Sequence, residues 1–348
     1  MVDPINLFDN EKLLGVPVMR AAYSDRTAWL MSCMSELAYY PFEGNDRLLE
    51  IATELAKLSG VDEIKDKLST LLSGTLEGGD VAALEKTLKL AGFDLINTYN
   101  RSETQAFLAK RASAKDGGDP GMLILAFRGT EMNARDIHTD LKAQMVVLEG
   151  EEKVHKGFLQ AFRHVETAIK ADLDAHPGIP VYITGHSLGG ALAILGTRLL
   201  AAESQGACYT FGGPRVGTPQ LDDEIKTPIY RVVNAADLVP RVPPSYLIGP
   251  LIMLANLAHL TFVVKFLRKY KGYVHFGDMR YLNHAEPGVD DKFKGLVLHA
   301  NPSLIVRAGW VVRRWISTGG KAAVTDHSIG LYRRKLKAYA LWRNAKNN

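Results

Sequence analysis

Gly185-His186-Ser187-Leu188-Gly189 fits the pattern G-x-S-x-G, and its surroundings give the pattern chemical meaning. The apolar stretch Val181-Tyr182-Ile183 runs into it and an Ala/Leu-rich stretch leaves it. A serine between a strand and a helix stands on a sharp turn, with its Oγ lifted above the sheet edge as a nucleophile. Glycines on either side let neighbouring backbones approach more closely than a Cβ would permit. The same turn leaves N–H groups at the helix start free to stabilise negative charge. Ser187 is therefore the candidate nucleophile.

A serine hydroxyl reacts poorly at neutral pH unless a histidine takes its proton and a carboxylate orients that histidine. In this strand–turn–helix setting the acid and then the histidine follow the serine along the chain. The histidines available are His259, His275, His284, His299 and His327. His259 lies in a long apolar run, which suits a packed or interfacial role, and His284 and His299 lack an obvious positioning element. His327, in Asp326-His327-Ser328 just before the helix-like Ile329–Trp342, is preferred over His275. Asp222, Asp223, Asp237, Asp278, Asp290, Asp291 and Asp326 qualify as the acid by order. Asp237 is preferred because it follows a strand-like run directly, and functional groups of open α/β sheets gather at the carboxyl ends of strands. Asp326, beside His327, is expected to act as a local cap. The developing oxyanion needs donors: the Leu188 N–H supplies one, and Thr130, just beyond the run Met122–Phe127, offers a second.

These groups need elements to hold them. Trp29–Tyr40 reads as a buried helix. Residues 45–91 read as a helical insertion, with helix-like stretches at Leu48–Leu58, Ile64–Leu72 and Ala82–Leu90 separated by glycines. From Gly92 the pattern changes to strands at Phe93–Tyr99, Ala106–Ala109, Met122–Phe127, Val181–Ile183, Ala207–Phe211 and Ile229–Val233. Helices are expected at Phe158–Leu173 and from Leu188 to about Ala202. Alternation of this kind predicts an α/β fold: one domain over 1–348, with a mostly parallel central sheet covered by helices on both faces.

Several further segments resemble one family. Ala126-Phe127-Arg128-Gly129-Thr130, Val154-His155-Lys156-Gly157-Phe158, the serine motif extended to Ala193, Phe211-Gly212-Gly213-Pro214-Arg215-Val216-Gly217 and Asn234 through Pro244 succeed one another as in class 3 lipases. That family is the fungal-lipase-like group of α/β-hydrolases. Tyr273-Val274-His275-Phe276-Gly277 resembles a strand of the group whose histidine is not the base, and Asp326-His327-Ser328-Ile329 resembles the segment that carries the base. The resemblance spans about Gly92 to Tyr332. It implies an α/β-hydrolase with Ser187 as nucleophile, Asp237 as acid, His327 as base, and Thr130 and Leu188 as oxyanion donors. It also implies hydrolysis of lipid esters: a triacylglycerol lipase, with phospholipase A1 or soluble carboxylesterase as the alternative. A catalytically silent, membrane-associated protein is a third reading, disfavoured by the intact Ser-Asp-His set. Two features depart from the family. Glu131–His138 is polar where an apolar lid helix is usual, and residues 245–271 form an apolar insertion between acid and base.

Composition sets the outer bounds. With 47% hydrophobic residues the 348-residue chain can build a large core. Cys33 and Cys208 are too few for a disulfide scaffold or a four-thiolate zinc site, and the chemistry calls for no metal or cofactor. The net charge of +4 hides an uneven distribution: residues 246–348 carry 17 Lys and Arg against 5 Asp and Glu. Such a basic segment suits an anionic partner. Nucleic acid is disfavoured because no recognised binding motif accompanies the charge. Tyr246–Val264 is apolar enough for a spanning helix, but one crossing there would put Asp237 and His327 on opposite sides of a bilayer. A second crossing at Leu296–Ile316 would bury Arg307, Arg313 and Arg314 in lipid. Both runs are expected instead to lie at a membrane or lipid-droplet interface. Residues 1–15 lack the apolar run of a secretory signal peptide. This fits a cytoplasmic or peripheral membrane protein, with signal-less secretion left open.

Overall fold

Mostly apolar runs form the middle of an eight-stranded sheet. Met122–Phe127 (β3) is buried at every position, as a strand covered on both faces must be. The computed structural model describes residues 7–17, 22–40, 79–102, 104–113, 119–129, 144–243, 248–319 and 321–347. The other strands are β1 (Asp94–Arg101), β2 (Thr104–Arg111), β4 (Met145–Glu149), β5 (Glu152–His155), β6 (Val181–His186), β7 (Cys208–Phe211), β8 (Ile229–Asn234), β9 (Asp278–Leu282) and β10 (Leu298–Ala300). The order across the main sheet is β1-β2-β3-β6-β7-β8-β9-β10, and β4 and β5 form a separate hairpin. Pairings from β3 through β9 are parallel; β1 with β2, β2 with β3, and β9 with β10 are antiparallel. The expected mostly parallel sheet is therefore present.

Its two faces make two cores. The alternation along β3 sends Met122, Ile124 and Ala126 to one side, against α1 (Asp25–Leu37) and the carboxyl-terminal α8 (Ile329–Asn347). Leu123, Leu125 and Phe127 point to the other side, against α3 (Lys156–Asp174) and α4 (Leu188–Leu200). Helices α2 (Gly79–Leu90), α5 (Ile248–Leu257), α6 (Thr261–Arg268) and α7 (Leu304–Thr318) complete the larger elements.

The differences from expectation have local causes. Helix α1 begins at Asp25 rather than Trp29 because the Ser24 side chain caps it, accepting the Thr27 N–H at 3.3 Å. The hairpin β4–β5, strand β9 and the edge strand β10 were not foreseen; β10 is only three residues long and β9 carries Arg280 at its centre. The expected stretches Leu48–Leu58 and Ile64–Leu72 lie outside the described residues, so the 45–91 insertion is seen only as α2 and the turn after it. The apolar insertion, described from residue 248, is two helices and not one. The chain breaks at 258–260, where His259 takes a φ of 54°, and that histidine is exposed rather than packed. Among the described residues no helix is long and apolar enough to cross a membrane.

Candidate active site

Strand β6 delivers Ser187 to the start of α4 with φ 57° and ψ −125°, outside the comfortable regions for a residue with a side chain. The surrounding structure enforces this turn. A Cβ on Gly185 would collide with the Gly189 carbonyl, and one on Gly189 would collide with the Phe127 carbonyl at the end of β3. The two glycines of the motif are thus demanded by backbone contact. The Leu188 N–H occupies the first helical position of α4, where no carbonyl of the helix can reach it. Thr130 lies outside the described residues.

The structure brings Ser187, Asp237 and His327 together from three separate segments. His327 Nε2 lies 2.9 Å from Ser187 Oγ, and Nδ1 lies 3.0 Å from both carboxylate oxygens of Asp237. A carboxylate only accepts, so Nδ1 carries the proton and donates it, which leaves Nε2 as an acceptor for the Ser187 hydroxyl. Ser187 and Asp237 are fully buried and His327 is nearly so.

Asp237 follows β8, and its charge is satisfied by more than the histidine. Oδ1 accepts the Val239 N–H at 2.9 Å and Oδ2 accepts the Tyr332 hydroxyl at 2.6 Å. Burial, and then the neighbouring Asp237 charge, push the Tyr332 pKa well up, so this phenol stays a donor. Its oxygen in turn accepts the Asn234 N–H at 3.0 Å. Sequence reasoning missed Tyr332, although five residues after His327, on a helix packed on the sheet, is a natural place for a second contact.

His327 is placed by contacts on both sides. His186 donates from Nε2 to the His327 carbonyl at 2.6 Å and accepts the Tyr39 hydroxyl at Nδ1, 2.7 Å away. Burial, assisted by the nearby His327, lowers the His186 pKa well below its usual range, so this ring stays neutral with one donor and one acceptor. Asp326 is not the local cap expected of it. Its Oδ2 accepts the Ala236 N–H at 3.0 Å, beside Asp237, and its Oδ1 faces Arg314 of α7 at 3.5 Å. The Asp326 carbonyl accepts from Asn234 Nδ2 at 2.8 Å. The segments bearing base and acid are thus tied to each other directly.

The remaining candidates are elsewhere. His275 is buried with Nε2 on the Pro240 carbonyl, and burial together with Arg231 and Arg215 lowers its pKa. His284 accepts from Arg314 Nη1 at 3.0 Å, and His299 packs on Trp310. Asp222 and Asp223 are exposed. Among the described residues no group of His, Cys, Asp and Glu is arranged to hold a metal ion.

A mostly parallel sheet with a serine on the strand–turn–helix corner of a central strand defines an α/β-hydrolase. Residues 124–247 match the model of the lipase (class 3) family. Among curated proteins, the lipase of Rhizopus niveus is 37% identical over 139 residues, covering 35% of this chain and 35% of its own length. Triacylglycerol lipase OBL1 of Arabidopsis thaliana is 28% identical over 220 residues, covering 47% of this chain and 42% of its own. The chain thus spans between about a third and a half of the length of these relatives. The solved propeptide complex of Rhizomucor miehei lipase superposes with a TM-score of 0.44 at 25% identity, covering 62% of each chain.

Proposed function

We propose that this chain is a serine hydrolase that cleaves carboxylic ester bonds of lipids, as a triacylglycerol lipase, through an acyl-enzyme on Ser187. The observation that carries the reading is the contact of 2.9 Å between Ser187 Oγ and His327 Nε2, with Nδ1 on the buried Asp237. Similarity to proteins such as triacylglycerol lipase OBL1 of Arabidopsis thaliana supports lipid esters as the substrate class.

In this reaction Ser187 Oγ attacks the ester carbonyl carbon while its proton passes to His327 Nε2. The carbonyl oxygen becomes an oxyanion held by the Leu188 N–H and by Thr130; losing one such donor typically costs about 3–4 kcal/mol. Asp237 stays ionised, holds the imidazole tautomer and stabilises the imidazolium. Collapse breaks the ester C–O bond, and the leaving alkoxide takes the proton from Nε2. Water then attacks the acyl-serine, giving its proton to Nε2, and that proton returns to Ser187 as the carboxylic acid departs.

A fluorophosphonate probe tests the nucleophile: the wild-type chain is labelled at Ser187 and the Ser187→Ala variant is not. An unlabelled wild-type chain would overturn the proposal. Rates on short-, medium- and long-chain esters, below and above their solubility limits, identify the substrate class. A jump on emulsions marks a lipase, a smooth saturating curve marks a soluble carboxylesterase, and preference for phospholipid marks a phospholipase A1.

A further inference from the structure

Helix α7 is amphipathic the wrong way round for a protein surface. Its polar and aromatic positions Arg307, Trp310 and Arg314, spaced by three and four residues, face inward. Trp310 stacks on Tyr281 of β9 with centroids 5.1 Å apart, Arg307 Nη1 meets Met279 Sδ, and Arg314 meets His284 and Asp326. The opposite face, offset by half a turn, is apolar and bare: Ile305 is 85% exposed, Val312 56% and Ile316 74%, with Trp315 at 58% on its flank. A helix on water ordinarily presents the reverse. The pair α5–α6 repeats the feature, since Phe262 is 81% exposed and Leu254, Leu257 and Phe266 are also exposed.

The segments that carry these helices hold charge of one sign, and the acids that reach α7, Glu286 and Asp326, meet Arg314 on its inward side. From Leu238 to Gly277 and from Lys292 to Thr325 the chain contains no Asp or Glu. Lys265, Arg268, Lys269 and Lys271, at the end of α6, and Arg313 on α7 are exposed and have no acidic partner among the described residues. Exposed aliphatic and tryptophan side chains interleaved with unpaired cations are the composition that seats a helix in the headgroup region of an anionic bilayer. Two copies of this chain meeting through the same faces would set cation against cation.

We propose that α7, with the α5–α6 pair, is a docking surface for an anionic phospholipid layer. The inward face of α7 touches Asp326 through Arg314, so only the width of one helix, about 10 Å, separates the docked lipid from the segment that carries His327. The inference deepens the lipid-ester reading and rests on it for its biological purpose, but its test reads no catalysis, so either can fail alone.

The test is vesicle flotation of the full chain carrying Ser187→Ala. The vesicles are phosphatidylcholine alone or a phosphatidylcholine–phosphatidylglycerol mixture, at low and high salt. The protein is expected to partition onto the mixed vesicles and to be released by salt. Ile305→Asp with Ile316→Asp should lower that partition by at least about tenfold, as expected for removing two buried isoleucines, with an unchanged melting temperature. Arg313→Gln, a milder change, should lower partition onto mixed vesicles by about fivefold and leave the neutral ones unaffected. Equal binding of parent and double variant, or equal binding to neutral and mixed vesicles, overturns the proposal. So does a parent that ignores vesicles and forms a dimer that the double variant disrupts, because the face would then join two copies.

Discussion

One methyl group at residue 212 tests whether the close approach of acid and base is what the site depends on. Gly212 follows β7 with a φ of +58°, and a Cβ there would stand 2.6 Å from Asp237 Oδ2 and 3.1 Å from His327 Nδ1. Neither neighbour can swing aside, because the Asp237 carboxylate is buried and held by Val239 and Tyr332. Gly212→Ala must therefore push the carboxylate and the imidazole away by about half an ångström or more. Misplacement of a reacting group by 1 Å can cost about 100-fold, so a 10- to 100-fold fall in kcat/KM is expected, or about 1.4–2.7 kcal/mol of transition-state stabilisation. The left-handed backbone adds about 1–2 kcal/mol of strain for alanine. Gly92→Ala separates the two effects: Gly92 has a φ of +78° with nothing within 4 Å of its Cβ position, so it carries the strain alone. The assay is kcat/KM on a soluble short-chain ester, with the rate of fluorophosphonate labelling and the melting temperature measured alongside. Gly92→Ala should lose stability and keep its rate, whereas Gly212→Ala should lose both. If Gly212→Ala is as fast as wild type while losing only what Gly92→Ala loses, the contact with Asp237 and His327 does not govern the site.

Three further perturbations report on the supports of the site. Glu36→Gln leaves Arg333, its buried partner at 2.5 Å, without a counter-charge and should cost about 3–5 kcal/mol in denaturant titration. Tyr332→Phe removes the 2.6 Å donor to the buried Asp237 and leaves the Asn234 N–H unpaired; about 2–3 kcal/mol of stability should be lost, read in the same titration. Burial pulls the Lys335 pKa down to about 8 from its ordinary 10.5. Between those values the unfolded chain binds more protons than the folded one, so this lysine makes stability rise with pH by up to about 3 kcal/mol. Lys335→Met should abolish that rise relative to wild type in melts between pH 8 and 10.5, and a variant with the same slope would refute the assignment.

What could be read from the sequence divides by how far each determinant acts. The Ser187 corner was legible because strand, turn and helix lie contiguously around five residues, and the glycines that the backbone requires are part of the same motif. Asp237 was legible as a carboxylate at the end of a strand, β3 as an uninterrupted apolar run buried on both sides, and β6, β7 and β8 as mostly apolar runs. The small edge strand β10 was not legible, because three residues paired along one side carry no pattern. Nor was the work of Asp326. A residue beside a turn is read first as its cap, yet the side chain reaches the Ala236 N–H, 90 positions earlier in the chain.

That misreading points to how distant groups are held in register. Asn234 touches the 326–335 segment at three points: its N–H on Tyr332, its Nδ2 on the Asp326 carbonyl and its Oδ1 on Lys335. Ala236 and Asp237 add contacts to Asp326, His327 and Tyr332. The end of β8 and the start of α8 are therefore joined by directional bonds between buried groups, each of which is costly to leave unmade. Apolar packing alone fixes the separation of two elements but leaves their register along one another soft. Directional bonds on both sides of His327 remove that freedom, and an imidazole can then sit at 3.0 Å from a carboxylate and 2.9 Å from a hydroxyl that come from other parts of the chain.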